Sequence, residues 1–241
     1  MPKFTTKLIE RNEVAERTMV FTFERPADFN FTAGQFLTVT VPNPPFSDAK
    51  GNGRTFSIAS PPQELAHLQI ATRMTGSALK RSLAELPLGT PVELFGPAGT
   101  FTLHRASSMS AVFIAGGIGI TPFRSIINDA FARHLTHQIT LIYSNRNLEG
   151  AAFHAEFLRI AEEHTKFKYI PTMTDANKSH QPWSGLRRAV DAHFLREHVG
   201  DIMTPVFYIA GPPGMVTGIT KAVIEAGAEP ARVRSEKFDG Y

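Results

Sequence analysis

Residues 116–122, the glycine-rich segment Gly-Gly-Ile-Gly-Ile-Thr-Pro, are well suited to bind a phosphate-bearing ligand. They follow the continuous apolar run 111–115 and precede a helical pattern. Glycines let a backbone turn tightly and bring its N–H groups against an anionic pyrophosphate. Thr121 is suited to cap the helix and Pro122 to occupy its first position. The segment predicts a phosphate-binding turn, with an ordinary glycine turn between strand and helix as the alternative.

A second glycine turn, Gly-Pro-Pro-Gly-Met at 211–215, follows the apolar segment 206–210. Ligands of open parallel sheets bind at the carboxyl ends of the strands, so two turns at two such ends can face one nucleotide. Pro122 replaces the third glycine of the usual dinucleotide fingerprint, which separates this chain from the standard dehydrogenases. Together the two turns predict a dinucleotide site.

A third segment, in the first half of the chain, combines a cation with an aromatic ring. In Arg-Thr-Phe-Ser at 54–57, Arg54 and Phe56 share one face of a predicted strand, which suits a ligand with a phosphate and a flat ring. Cross-strand packing with a surface arginine is an equal alternative. Residues 73–80 (Arg-Met-Thr-Gly-Ser-Ala-Leu-Lys) end a strand and start a helix, and are a second possible phosphate cradle.

The elements that must position these segments differ between the two halves. Up to about residue 103, short strands rich in β-branched and aromatic residues alternate with Gly and Pro turns, which predicts a closed antiparallel β-barrel. Its strands are expected at 4–9, 19–23, 36–41, 54–58, 68–73 and 92–95, with a helix at 77–86.

After residue 105, strands and helices alternate, which predicts an α/β domain with a parallel sheet. The strands are expected at 111–115, 139–143, 167–171, 206–210 and 232–235, and the helices at 122–134, 152–164, 186–198 and 213–226. We therefore divide the chain into an antiparallel β-barrel domain, residues 1–105, and a nucleotide-binding α/β domain, residues 106–241.

The amino-acid composition excludes several classes of functional site. The 241 residues contain no cysteine, which excludes disulfides, thiolate nucleophiles and cysteine-ligated clusters in this chain. The net charge of +3 and the lack of a signal-like or bilayer-spanning run predict a cytoplasmic protein that binds neither nucleic acid nor membrane. His134 and His137 are close in sequence but have no further ligand nearby, so we expect a solvated helix end and no metal.

The motifs occur in a recognisable order: Arg-x-aromatic-Ser at 54–57, Gly-Ser at 76–77, the two glycine turns, and Glu-x-Phe at 236–238. The chain resembles the ferredoxin–NADP reductase superfamily over nearly its whole length. That family combines an antiparallel flavin-binding barrel with a pyridine-nucleotide domain. The resemblance implies an FAD cofactor, with FMN as the less expected flavin, and NADPH or NADH as electron donor.

The resemblance also implies roles for single residues. Arg54 is expected to pair with the flavin phosphate, Phe56 to stack on the isoalloxazine ring, and Ser57 to hydrogen-bond near flavin N5. The strand must end or twist at Ser57, because this residue otherwise points away from Phe56. Further expected flavin contacts are Thr55, Arg73 and the backbone N–H groups of Gly76, Ser77 and Ala78.

The dinucleotide is expected to contact residues of three segments: Gly117, Gly119, Thr121 and Pro122; Ser144 and Arg146; and Gly211, Pro212 and Met215. Phe238 or Tyr241 is expected to cover the flavin until nicotinamide displaces it, and Ser57, Glu236 and Phe238 are the expected catalytic residues. Ser144 and Arg146 favour NADPH, because no acidic residue follows that strand before Glu149.

Two positions depart from the family pattern. Phe56 replaces a common tyrosine, and Ala210 replaces the cysteine that many members carry before Gly-Pro. The resemblance implies a reductase that passes electrons from NAD(P)H through FAD to a separate acceptor, such as ferredoxin, flavodoxin or an oxygenase component. The alternatives are a reductase that uses free flavin or a ferric chelate as substrate, and an electron-transfer or regulatory subunit of a larger complex.

Overall fold

A computed structural model describes residues 1–238, which form two units. Unit 1 contains Met1–Thr102 and Thr121–Arg133, and unit 2 contains Leu103–Ile120 and the described residues from His134 onward. The chain thus leaves unit 1 close to the boundary that the sequence suggests, but one later helix is part of unit 1. The division at residue 105 stays a prediction.

Unit 1 is built on a six-stranded sheet of the order β4-β3-β6-β1-β2-β5, in which every neighbouring pair is antiparallel. A bridge between Ile58 and Ile70 joins the end of β4 to β5, so the two edge strands meet. The predicted antiparallel barrel is confirmed. Its strands are β1 (Lys3–Ala15), β2 (Thr18–Glu24), β3 (Phe36–Thr40), β4 (Gly53–Ser57), β5 (His67–Arg73) and β6 (Pro91–Ala98).

The core of unit 1 follows from alternating side chains on these strands and from one face of the helix α1 (Ala78–Glu85). Leu79 and Leu83, four residues apart on α1, pack into it. Each such buried leucine contributes about 1.5–3 kcal/mol. The helix begins directly after Ser77 and ends before Leu86, so the sequence predicted it almost to the residue.

Helix α2 (Ile120–Ala132) follows the first glycine turn and packs within unit 1 from Thr121 onward. Ser125 donates from its hydroxyl to the carbonyl of Ser60 at 2.7 Å, and Arg124 donates to the carbonyl of Ala59 at 3.0 Å. Both acceptors lie just beyond β4. These hydrogen bonds tie the segment after β4 to α2.

Unit 2 contains a five-stranded parallel sheet of the order β11-β10-β7-β8-β9. Every residue of β7 and β10 is buried, as in a parallel sheet covered on both faces. The predicted α/β fold is confirmed. The strands are β7 (Ala111–Gly116), β8 (Ile139–Asn145), β9 (Phe167–Met173), β10 (Val206–Gly211) and β11 (Val233–Lys237), and the helices are α3 (His154–Glu163), α4 (Ala192–Val199) and α5 (Pro213–Ala226).

Three local predictions are wrong. Thr121 is not the cap of α2, because a 3₁₀ turn at Gly117–Gly119 starts the helical path earlier and α2 begins at Ile120. The helix expected from residue 186 begins only at Ala192, after the Asp191 cap. Leu186 instead forms a parallel bridge with Thr172 of β9, which keeps this stretch extended.

The third concerns His137, which is buried and not part of a solvated helix end. Its Nε2 lies 2.9 Å from the carbonyl oxygen of His104, whereas its Nδ1 is buried without a hydrogen-bond partner within residues 1–238. His104 in turn contacts the hydroxyl of Tyr208 through its backbone N–H at 2.9 Å and its Nδ1 at 3.0 Å.

Among residues 1–238, no helix has the length and apolar character needed to cross a bilayer.

Candidate active site

The strand that carries the first candidate segment is β4, which ends at Ser57. It pairs with β3, where Leu37 lies opposite Phe56 and Val39 opposite Arg54. Phe56 is only 8% exposed and belongs to the core of unit 1, so little of its ring is left for the predicted stacking. The strand ends where the predicted role of Ser57 requires it to end.

Arg54 and the first residue of α1 bind the same anionic group, the side chain of Asp48. Nη2 of Arg54 lies 2.6 Å from Oδ1 of Asp48, and the N–H of Ala78 donates to Oδ2 at 3.0 Å. These contacts hold the pKa of Asp48 below its ordinary value, the Ala78 N–H having the larger effect and the Arg54 guanidinium the next. Two of the groups predicted to bind one phosphate therefore converge on a single point and form an anion cradle.

Around this cradle there is open space for a ligand, and further polar groups lie nearby. The hydroxyl of Ser77 is buried and has no hydrogen-bond partner within residues 1–238. A side chain added at Gly76 would meet nothing within 4 Å. Lys80 donates to the carbonyl of Arg73 at 3.0 Å, and its pKa is lowered to about 8, mainly by burial and further by the charge of Arg54. All of these features suit a phosphate group.

Thr55, by contrast, lies away from the cradle. It is exposed, on the side of β4 opposite to its buried neighbour Phe56. Its Oγ1 lies 3.1 Å from that of Thr38 across the strand pair. A contact between Thr55 and a phosphate held at the cradle would have to come from its backbone.

The two glycine turns meet at the carboxyl ends of β7 and β10. A Cβ on Gly119 would lie 2.6 Å from the backbone nitrogen of Gly211, and one on Gly116 would lie 2.7 Å from Cε of Met215. Gly117 (φ 51°) and Gly211 (φ 154°) have backbone conformations that other residues rarely adopt. Glycine is required here because the two backbones approach more closely than a side chain permits.

This contact lies at the point where the strand order reverses. From β7 the chain proceeds to β8 on one side of the sheet and later returns to β10 on the other. Such a switch point is where open α/β sheets bind nucleotides. Pro212 caps α5 there, while Thr121 and Pro122 lie in the first turn of α2. The fold thus joins the two turns that the sequence assigned to one ligand.

The carboxyl end of β8 carries the residues expected to select the nucleotide. The strand includes Ser144 and ends at Asn145, and Arg146 follows as an exposed residue. Within residues 1–238, the guanidinium of Arg146 has neither an ion-pair nor a hydrogen-bond partner. The Glu149 carboxylate accepts hydrogen bonds of 2.7–3.1 Å from the Ser179 hydroxyl and the backbone N–H groups of the next two residues. This acid holds a loop, and Arg146 is an exposed cation at the strand end.

Strand β11 brings the C-terminal candidates to the second glycine turn. Glu236 pairs in register with Ala210, and the N–H of Phe238 donates to the carbonyl of Gly211 at 3.0 Å. Burial raises the pKa of Glu236 to about 7, and its Oε2 has no partner within residues 1–238. A carboxyl group that titrates near neutral pH can hold and release a proton. Tyr241 lies outside the described residues.

Two family models together match most of the chain. The oxidoreductase FAD-binding domain matches residues 5–103, and the oxidoreductase NAD-binding domain matches residues 113–221. Ferredoxin–NADP reductase B of Sorangium cellulosum is 29% identical over 246 residues, which cover 98% of both chains. The chain belongs to the ferredoxin–NADP reductase superfamily. The family recognised from its motifs is therefore confirmed.

Other similar members of the superfamily are longer. The reductase component DmpP of phenol 2-monooxygenase from Pseudomonas sp. (strain CF600) is 29% identical over 222 residues, 89% of this chain and 59% of that protein. The crystal structure of the Amycolatopsis cytochrome P450 reductase GcoB superposes with a TM-score of 0.84 at 28% identity, over 98% of this chain and 70% of the other. The chain thus spans about three fifths of the first of these relatives.

The residues of this superfamily member fit the FAD that its first domain implies. The test is the cradle: Arg54 and the Ala78 N–H already hold an anion, the Ser77 hydroxyl is buried without a partner in residues 1–238, and Gly76 leaves open space. Arg54, Ser77 and Ala78 are the groups that would hold the flavin phosphates. The individual site roles stay predictions.

Sequence reasoning missed two residues of the cradle, Asp48 and Lys80. Asp48 lies in a loop six residues before Arg54, and nothing in the local pattern distinguishes it from a solvated turn residue. Lys80 is the last residue of the segment 73–80, and the sequence alone assigned it no role. Its neighbours Ser77 and Ala78 gave a signal, because a cation one turn into a helix that starts at a phosphate cradle is placed close to the anion.

Proposed function

We propose that this protein is an NAD(P)H-dependent flavoprotein reductase that delivers electrons to a separate acceptor. The observation that carries the proposal is the presence in one chain of an FAD-binding and an NAD-binding oxidoreductase domain. A bound FAD would supply the chemistry that links a two-electron donor, the nicotinamide, to a one-electron acceptor. The protein supplies binding, orientation and protection from water.

Each unit contributes its own groups. In unit 1, Arg54 and the Ala78 N–H bind the flavin phosphates and thereby fix one end of the cofactor. In unit 2, the contact between Gly119 and Gly211 provides backbone that a pyrophosphate can approach closely. Glu236, next to this turn, is a proton reservoir, since its pKa of about 7 keeps both protonation states populated at neutral pH.

The acceptor in this proposal is a separate one-electron carrier protein, either a ferredoxin or flavodoxin or an oxygenase component. The chain has no cysteine with which to ligate an iron–sulfur cluster of its own. The names of two similar proteins support a ferredoxin or an oxygenase component as the acceptor: one is named as a ferredoxin–NADP reductase and one as the reductase component of phenol 2-monooxygenase. A cytoplasmic location stays a prediction.

For the donor we propose NADPH in preference to NADH. Arg146 is exposed at the end of β8, has no partner within residues 1–238, and can form charge-assisted hydrogen bonds with a 2′-phosphate. Ser144 can donate a further hydrogen bond. Glu149 already accepts hydrogen bonds from three donors of the loop at 179–181, which leaves less of its acceptor capacity for ribose hydroxyls.

The test of the proposed function is cofactor retention. We expect the purified protein, loaded with FAD and freed of excess by gel filtration, to elute yellow, with FAD as the flavin identified by mass spectrometry. Arg54→Ala should weaken FAD binding by about ten- to a hundredfold, because hydrogen bonds to charged groups contribute about 1.5–3 kcal/mol. Lys7→Ala, which removes an exposed cation of the same unit, is the matched control. A wild-type protein that binds no flavin would contradict the proposal.

A further inference from the structure

The loop at 43–52, between β3 and β4, is fastened across the start of α1. The hydroxyl of Ser82 lies 3.3 Å from both the backbone nitrogen and the carbonyl oxygen of Phe46, and the guanidinium of Arg81 lies 3.5 Å from the centre of the Phe46 ring. Arg54 donates from Nη1 to the carbonyl oxygens of Lys50 and Gly51 at 3.0 and 2.8 Å. The loop is therefore held at both of its sides.

Between these two anchors, Asp48 places its carboxylate in the anion cradle. One oxygen accepts from Nη2 of Arg54 at 2.6 Å and from the N–H of Lys50 at 2.9 Å. The other accepts from the N–H of Ala78 at 3.0 Å. The carboxylate thus occupies the helix N-terminal N–H and one edge of the guanidinium, the two groups assigned above to the flavin phosphate.

A phosphate and a carboxylate cannot share these donors at low cost. The Ala78 N–H has a single hydrogen, and Nη1 of Arg54 is already used by loop carbonyls. Two anions placed a few ångströms apart also repel each other. A flavin phosphate that binds the Ala78 N–H must therefore displace the carboxylate of Asp48.

We propose that Asp48 is an internal competitor for the phosphate of the flavin, and that it weakens the binding of FAD without preventing its retention. The inference rests on the proposed function, since it presumes that unit 1 binds flavin. Asp48 then determines how strongly phosphate-bearing flavins are retained, whereas a flavin without phosphate does not meet it. FAD and FMN displace Asp48, and riboflavin leaves it in place.

The experiment is a titration of flavin-free protein with riboflavin, FMN and FAD, followed by flavin fluorescence. The variants are wild type, Asp48→Asn, Asp48→Ala and the control Asp28→Asn, which removes an exposed carboxylate of the same unit. We expect both Asp48 variants to bind FAD and FMN about tenfold more tightly than wild type, which corresponds to about 1.4 kcal/mol. Riboflavin binding should change by less than about twofold, and Asp28→Asn should match wild type.

Circular dichroism of each variant establishes that it is folded, and the two Asp48 variants check each other. The inference is overturned if both Asp48 variants bind FAD with the same affinity as wild type or more weakly. The role of Asp48 would then be only to hold Arg54 in place. It is also overturned if riboflavin affinity rises by the same factor as FAD affinity. If wild type binds FAD and the variants give either of these two results, the proposed function still stands. If no variant binds any flavin, the proposed function fails and the inference fails with it.

Discussion

Replacing Glu236 by glutamine should change the pH dependence of folding stability. Glu236 lies on β11 beside Ala210, is largely buried, and has one oxygen without a partner in residues 1–238. Burial disfavours its ionised form and raises its pKa from the ordinary value of 4.5 to about 7. Glutamine keeps the shape of the side chain and stays neutral at every pH.

The direction of the effect follows from proton binding. Between pH 4.5 and pH 7 the folded protein keeps a proton on Glu236 that the unfolded chain has lost. Stability therefore falls as pH rises through this window, and the full cost is present above pH 7. At about 1.4 kcal/mol per pKa unit, the shift sets an upper bound of about 3 kcal/mol, which water reaching the carboxylate will reduce.

The assay is urea unfolding of wild type and Glu236→Gln at pH 5 and pH 8, with the same flavin loading. We expect the stability of the variant relative to wild type to increase between these pH values by roughly 1–3 kcal/mol. Glu225→Gln, an exposed carboxylate on α5, is the control and should show no such increase. A stability difference for Glu236→Gln that is the same at both pH values would refute the reasoning, because Glu236 would then ionise as an ordinary carboxyl.

Three further predictions concern the nucleotide site. Gly119→Ala places a Cβ against the backbone of Gly211, so it should lower stability by about 1–3 kcal/mol and weaken nucleotide binding. The control Gly218→Ala lies in open space on α5 and should instead raise stability by up to about 1 kcal/mol. Thermal melts in which Gly119→Ala and Gly218→Ala change stability alike would contradict this expectation. Arg146→Ala should lower kcat/KM for NADPH about ten- to a hundredfold and leave NADH nearly unchanged, whereas an equal loss of both would show that Arg146 does not bind the 2′-phosphate. Deleting residues 237–241 should change nucleotide affinity, because the Phe238 N–H is bound to the second glycine turn. The family resemblance, which implies that Phe238 or Tyr241 covers the flavin, predicts a change in flavin fluorescence as well, and two unchanged values would exclude a role for the tail.

Helices whose first and last residues are marked by characteristic residue types, such as proline at the start and glycine after the end, were predicted from the sequence. Helix α5 was predicted to the residue, because Pro213 occupies its first position and Gly227 follows its end with φ 120°. The start of α2 was misplaced because the glycine turn itself is a 3₁₀ turn. The helix near residue 186 was extended too far, since the bridge between Leu186 and Thr172 is a tertiary contact with no local signal.

Some parts of the candidate site could likewise be predicted from the sequence, and others could not. The glycine turns could be assigned to one ligand because the order of parallel strands determines which carboxyl ends are neighbours. The anion cradle could not be derived in full, because Asp48 and Ala78 are 30 residues apart and their contact depends on how a loop packs on α1. The raised pKa of Glu236 also depends on burial, which no sequence pattern around residue 236 encodes.

Reduction of bound flavin by NADPH tests the central claim most directly. FAD-loaded protein is mixed with NADPH without oxygen, and the visible absorption of the flavin is followed in a rapid-mixing instrument. We expect the oxidised flavin band to be lost with a rate that saturates with NADPH, and to return when a one-electron acceptor is added. A flavin that stays oxidised at saturating NADPH and NADH would contradict the proposed function, because the FAD-binding and NAD-binding domains of this chain would then not form a reductase.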